Sequence, residues 1–355
     1  MKIKISIIGL LAALIIIQGF RVITSSGLAI SIDPVSLEHC DTLVGPVGAE
    51  DITIDRISQL AYIGADDRRT YLLDGQPIQE NGAIWVLDLK HAEAQPIKLN
   101  TSMTGVFHPH GIALRKNLKG EALELYVVNH IDTKNHEIDV FEITQPGVLS
   151  FNRRIRFPEM VSPNDLVVVG KDRLFVSNDH ASTQHTLMQK MEDYLGLPMS
   201  SVVFFDGEKG HIVIDGLRMA NGIALSSDQE TLYVAETLAR QVSRYRQVAT
   251  LRDWQYQDSV SVEFGVDNLE WGEQGQLLTA GHPKVFDFLA HLNDRSKNAP
   301  SEVASIDVSG EIMRAETLYL NSGEQISGAS VAAQSGTTLL IGPVIDEQFL
   351  RCKLN

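Results

Sequence analysis

Basic residues are scarce in this chain: 30 Lys and Arg stand against 45 Asp and Glu, a formal net charge of −15. With no basic stripe to offset phosphate repulsion, nucleic acid is excluded as a partner, and the acidity serves solubility. Long apolar runs are missing too. The one hydrophobic stretch is Ile5 to Ile17 behind Lys2 and Lys4, short for a spanning helix and right for the core of a secretory signal. No small-x-small cleavage site follows it, so residues 1–25 read as a signal peptide or as a retained N-terminal anchor. Either way the chain is expected to be exported: secreted, periplasmic or membrane-anchored through its N-terminus. Also lacking is any repeat-free block large enough for a second core, so residues 26–355 are expected to form one domain.

What fills those residues is a motif that recurs six times, an apolar stretch led by a small or polar residue and followed by a turn and a β-rich closing strand. The copies start at Glu50-Asp51-Ile52, His110-Gly111-Ile112, Asn164-Asp165-Leu166, Asn221-Gly222-Ile223, Asp267-Asn268-Leu269 and Ser327-Gly328-Ala329. Several close on near-copies of one strand, such as Leu125-Tyr126-Val127-Val128-Asn129, Leu174-Phe175-Val176-Ser177-Asn178 and Leu232-Tyr233-Val234-Ala235-Glu236. Successive copies lie 60, 54, 57, 46 and 60 residues apart. Short strands at such a period predict an all-β, six-bladed β-propeller.

In a radial fold, equivalent positions face one another at one end of the central channel. Around that ring stand Glu50, His110, Asn164, Asn221, Asp267 with Asn268, and Ser327. Packing gives no reason for carboxylates and amides to converge there, whereas oxygen ligands without cysteine select a hard cation, calcium rather than magnesium. The competing reading takes each Asn-Gly or Asn-Asp as a turn before a strand. The two cysteines, Cys40 and Cys352, read in an exported protein as one disulfide, with two buried free thiols as the alternative. Such a bond would pin the closure of the ring, with a chain-entropy upper bound of about 5 kcal/mol. One segment breaks the β pattern: Leu187, Met188, Met191, Tyr194 and Leu195 have helical spacing, stopped by Gly196 and Pro198. It is a lid on the channel, a membrane-contact patch, or a helix packed on the blades.

Phe107-His108-Pro109-His110-Gly111-Ile112, Val127-Val128-Asn129-His130, Pro163-Asn164-Asp165, Ser177-Asn178-Asp179-His180, Tyr194-Leu195-Gly196-Leu197, Ala220-Asn221-Gly222-Ile223, Val266-Asp267-Asn268 and His282-Pro283, together with Glu50-Asp51, are specific in combination. From about residue 38 to 352 the chain resembles the paraoxonase/arylesterase family of calcium-dependent lactonases. Cys40 and Cys352 sit where that family has its terminal disulfide, and its retained hydrophobic N-terminus is similar to Lys2 to Phe20.

The resemblance implies two calcium ions in the channel. Glu50, Asn164, Asn221, Asp267 and Asn268 would hold a catalytic ion; Asp51, Asp165 and the backbone carbonyl of Ile112 would hold a deeper structural one. Adjacent residues on an extended segment point in different directions, which lets Glu50 and Asp51, or Asn164 and Asp165, serve different ions. His110 and His130 match the family's histidine pair, a proton acceptor and a relay; read from the residues alone, either is equally a buried imidazole bonded to blade carbonyls. His108 matches no role and is expected at the surface. Met219, His282, Val285, Phe286 and Val344, with Tyr194 from the lid, would wall an apolar pocket.

Two departures stand out. Gly281 replaces a cysteine of animal members, and Ala65 to Gln79, in the region of a mobile active-site loop, does not align. The implied activity is calcium-dependent hydrolysis of lactones, acyl-homoserine lactones among them, with promiscuous arylesterase and organophosphatase activity. Small lactones or esters are then the partners, with membrane contact through the N-terminal and lid helices. The alternatives are a sugar-acid lactonase of the gluconolactonase type, which normally lacks the histidine pair and the terminal cysteines, and a non-catalytic binding propeller.

Overall fold

A computed structural model of the chain describes residues 19, 22–74, 80–183 and 185–354. The run Ile5 to Ile17 and residues 75–79 of the unaligned segment lie outside these. Among the described residues no helix is long and apolar enough to cross a membrane. The strands form six four-stranded antiparallel sheets. The innermost strands are Ala49–Asp55, Pro109–Lys116, Pro163–Gly170, Ala220–Leu225, Gly265–Trp271 and Ala329–Ser335. Each packs on the innermost strand of the next blade and the last returns to the first, which makes the six-bladed propeller. Five blades are sequential; the sixth borrows its outer strand, Glu38–Val44, which pairs with Gln348–Lys353. Cys40 and Cys352 are disulfide-bonded across that closure.

The burial pattern follows from position in the ring. Innermost strands such as Ala49–Asp55 and Ala220–Leu225 are buried on every residue, because they face the channel on one edge and neighbouring blades on both faces. Outer strands such as Trp254–Ser261 are largely exposed. The apolar cores lie between blades: Tyr126, Val140, Leu166 and Phe205 join the second to the third, and Tyr233, Val242, Leu277 and Ile306 the fourth to the fifth. A propeller therefore has a ring of sheet-on-sheet cores instead of one centre.

One irregularity is shared by all six blades. Where each innermost strand begins, its pairing with the second strand slips by one residue, as between Ala49 and Asp51, Pro109 and Ile112, or Ala220 and Ile223. Such bulges re-aim a side chain at the cost of a ladder hydrogen bond, and here they turn the leading residues into the channel. Crowding at that end explains two glycines: a Cβ at Gly111 would lie 2.5 Å from Asp165 Cα, and one at Gly222 2.5 Å from Leu269 N.

The expected helix is present as Leu187–Leu195, capped by Thr186, whose side chain accepts from Gln189 N–H, and ended by Gly196 in the left-handed region at φ 57°. The unaligned segment contains the helix Arg69–Asp74, and Val285–Asn293 is a further helix. Two sequence readings are corrected. The sixth innermost strand starts at Ala329, so Ser330 takes the place expected of Ser327, whose hydroxyl is bonded to the Gly323 carbonyl instead. His108 is buried, with Nδ1 3.3 Å from Asp66 Oδ1, because the strand entering the second blade turns it inward.

Candidate active site

The bulged starts bring Glu50, Asp267, Asn268 and Ser330 into one cluster. Asn268 donates through Nδ2 to Glu50 Oε1 at 2.9 Å and to the Glu50 carbonyl at 2.9 Å. Ser330 Oγ lies 3.0 Å from Glu50 Oε1 and 2.8 Å from Asp267 Oδ2. A single hydroxyl proton serves one of those carboxylates at a time, so two buried acids share too few donors. Four buried oxygens of the ring, Glu50 Oε2, Asn164 Oδ1, Asn221 Oδ1 and Asn268 Oδ1, have no hydrogen-bond partner. Two of the amide nitrogens are used: Asn221 Nδ2 reaches Thr237 Oγ1 at 3.3 Å, and Asn268 Nδ2 holds Glu50. Unpaired buried acceptors from four blades are costly unless a positive charge meets them.

Burial alone would raise the Glu50 carboxyl, but the His110 ring, with Arg68 and Asn268, outweighs it and brings it down to about 2. Asp51 and Asp165 behave oppositely. Burial, followed by the nearby carboxylates, pushes Asp51 well above the ordinary range; Asp165 is raised by burial too, against the N–H groups it accepts from. Asp51 Oδ2 accepts from Ile112 N–H at 2.6 Å, and Asp165 accepts from Ile223 N–H at 2.8 Å and Leu166 N–H at 2.6 Å. Each aspartate thus ties its blade to the next. Two like-charged buried carboxylates need a countercharge to ionise together. Among the described residues no three His, Cys, Asp or Glu side chains alone are grouped to hold an ion, so any cation held here must draw on the amide and backbone oxygens. The donor set, rich in oxygen and poor in nitrogen, fits a hard cation of calcium's coordination habits.

Beside this ring stands a line of imidazoles. His110 Nε2 lies 3.5 Å from Glu50 Oε1, and His110 Nδ1 is 2.9 Å from His130 Nε2. His130 is buried, and burial, with His136 and His110 adding to it, holds its ring well below the ordinary histidine value. Arg68, missed by sequence reasoning, is buried beside them and donates to the carbonyls of Pro109 and Val344 at 2.8 and 3.1 Å.

The residues expected to wall a pocket fall into two groups. His282 and Val344 are buried, His282 with Nε2 3.6 Å from Asp267 Oδ2 and its ring stacked on Phe288 at 4.0 Å; Met219 is half-buried, with its carbonyl bonded to Thr237 N–H. Val285 opens the helix that carries Phe288, and Phe286 and Tyr194 are exposed, Tyr194 at 75 %. Phe288 gave no sequence signal, since its neighbours look like ordinary core. Gly281 keeps its place because a Cβ there would lie 2.0 Å from the Gly265 carbonyl oxygen. At the other end of the channel, a cavity of about 170 Å³ touches Asp165 and Ile112 and is lined further out by Glu270, Lys116 and Arg56. It does not reach Glu50 or His110.

Residues 31–354 match the family model described as Arylesterase. The chain belongs to the arylesterase family. Human serum paraoxonase/arylesterase 1 is 32% identical over 339 residues, and human serum paraoxonase/lactonase 3 is 30% identical over 334, each alignment covering 91% of both chains. The propeller is also similar to a gluconolactonase from Xanthomonas campestris (TM-score 0.51, 14% identity, 92% of this chain and 99% of that one) and to a luciferin-regenerating enzyme (TM-score 0.55, 12% identity, 91% and 96%). Those two likenesses show the fold alone. As an arylesterase-family member the chain is an enzyme, a hydrolase of esters or lactones, which sets aside the non-catalytic propeller. Its disulfide is consistent with an oxidising compartment.

Proposed function

We propose that this hydrolase is a calcium-dependent lactonase that accepts acyl-homoserine lactones and carries promiscuous arylesterase and organophosphatase activity. The observation that carries the reading is the set of four unpartnered buried oxygens, from Glu50, Asn164, Asn221 and Asn268, beside a histidine whose Nε2 lies 3.5 Å from the other Glu50 carboxylate oxygen. Those four with Asp267 would hold the upper ion, and Asp51, Asp165 and the Ile112 carbonyl the deeper one. Calcium bound by the upper set would supply Lewis acidity to the ester carbonyl and its oxyanion.

The chain's own residues do the rest. His110 has Nδ1 engaged with His130, which leaves Nε2 to take a proton from the attacking water. His130, kept neutral by burial, accepts at Nε2 and fixes the tautomer of His110. Met219, His282, Val285, Phe286 and Val344 would shape the acyl site, with Tyr194 on a lid helix. The exposed face of that helix, Leu187, Met188, Met191 and Tyr194, suits a membrane surface, as does the hydrophobic N-terminal segment of an exported protein.

Two measurements test the reading. Turnover of a long-chain acyl-homoserine lactone, an aliphatic δ-lactone, gluconolactone and phenyl acetate should be lost on chelation and return with calcium; undiminished turnover in metal-free protein refutes it, and preference for gluconolactone moves the chain to the sugar-acid lactonases. His110→Gln should cut lactone turnover by roughly two to four orders of magnitude, with calcium content and melting temperature near wild type.

A further inference from the structure

The imidazole line does not stop at His130. That residue ends the strand Ala122–His130, and His136 begins the next, so a tight turn sets the two opposite each other in the register. His130 Nδ1 lies 2.8 Å from His136 Nδ1, and the rings meet edge-on with centroids 4.9 Å apart. Three rings thus form a continuous path: His110 Nδ1 to His130 Nε2 at 2.9 Å, then His130 Nδ1 to His136 Nδ1. We infer that His136 is the terminal member of a three-histidine proton relay, a positioning residue that receives the water's proton by way of His130.

This inference rests on His110 as the base. Only one set of tautomers satisfies both contacts with His110 as donor. His110 carries its proton on Nδ1 and gives it to His130 Nε2; His130 carries its own on Nδ1 and gives it to His136 Nδ1; His136 carries its proton on Nε2. When the water's O–H breaks and its oxygen bonds to the carbonyl carbon, its proton goes to His110 Nε2. The Nδ1 proton of His110 then moves to His130, and that of His130 to His136, which becomes the imidazolium. The reverse transfers return a proton to the alkoxide as the ring C–O bond breaks, and the new carboxylic acid releases the net proton to solvent.

Of these two inner rings His136 is the less strongly depressed. Burial and the flanking rings hold His130 well below the ordinary value. Burial also lowers His136, but Asp179, Asp132 and the Val161 carbonyl pull it the other way. His136 is itself buried, its Nε2 without a hydrogen-bond partner, and exposed Lys134 and Asn135 immediately precede it in the chain.

His136→Gln, assayed in the calcium-loaded full chain, should lower lactone kcat roughly 3- to 10-fold in dilute buffer, with KM and melting temperature near wild type, and added imidazole should restore the rate. Unchanged kcat at every buffer concentration overturns the relay, as does a loss that imidazole does not relieve, which marks a packing role. His136→Asn carries the same test if the first variant does not fold. His110→Gln run in parallel separates the two ideas: loss there with wild-type rates for His136→Gln defeats the relay alone, while unaffected lactone turnover in His110→Gln defeats the base and the relay together.

Discussion

Replacing Asp165 by Asn separates what the deep carboxylates do by themselves from what they do with a cation. Asp165 accepts two backbone N–H groups, from Leu166 and Ile223. The single amide oxygen of Asn keeps one of them, and the orphaned buried N–H costs about 1–3 kcal/mol whether or not metal is present. In metal-free protein this loss is offset, because the substitution also removes a charge that stands against Asp51. In calcium-loaded protein there is no such relief, and the stabilisation that the ion gives is reduced; at a free concentration of 100 times Kd that stabilisation is about 2.7 kcal/mol. For a chain of this length, it corresponds to a melting-temperature difference of about 4 °C. Melts of wild type and Asp165→Asn, each with calcium and with chelator, should therefore show the calcium-induced rise shrinking by about that amount in the variant. An equal rise in both proteins refutes the assignment of a cation to Asp165.

Further outcomes follow from the same geometry. The folded-state values of Asp51 and Asp165 are raised, so their contribution to stability is present at pH below their unfolded values and is lost as pH rises through the folded ones. Chelated wild type should accordingly gain on chelated Asp165→Asn as pH falls from neutral to about 5, read from melting temperatures; a gap that is flat with pH contradicts the burial of charge described above. Gly281→Ala should cost about 1–3 kcal/mol in denaturant unfolding, since its Cβ would meet backbone at 2.0 Å, and a neutral result means that the fifth blade yields there. Reducing the Cys40–Cys352 bond should lower stability by up to about 5 kcal/mol with kcat unchanged; mass spectrometry finding both thiols free in protein from an oxidising compartment removes the claim.

The six blades were legible because a propeller repeats one supersecondary unit, and the apolar alternation that defines each strand survives in each copy from Ile52 to Val331. The positions of Glu50, Asn164, Asn221 and Asp267 at one end of the channel followed from the repeat alone, as did the helix over Leu187–Leu195, whose spacing and stop residues are local. The rest needed three dimensions. Ser330 lies in an Ala-Ser-Val run that reads as plain strand, and only the one-residue bulge at the start of the sixth innermost strand turns its hydroxyl toward Glu50 and Asp267. His108 was expected outside and is buried, because two residues of lead-in before a bulge carry no periodicity by which to tell the faces apart. His136 could have been found as the second of two histidines flanking a turn, yet which of its ring atoms meets His130 is settled by register and rotamer. Phe288 meets His282 only because the chain after His282 turns into the helix Val285–Asn293, which brings the Phe288 ring back onto the imidazole. Sequence period sets what repeats around the axis; the aim of each side chain within a repeat depends on bulges and on neighbours far away in the chain, and those exist only once the ring has closed.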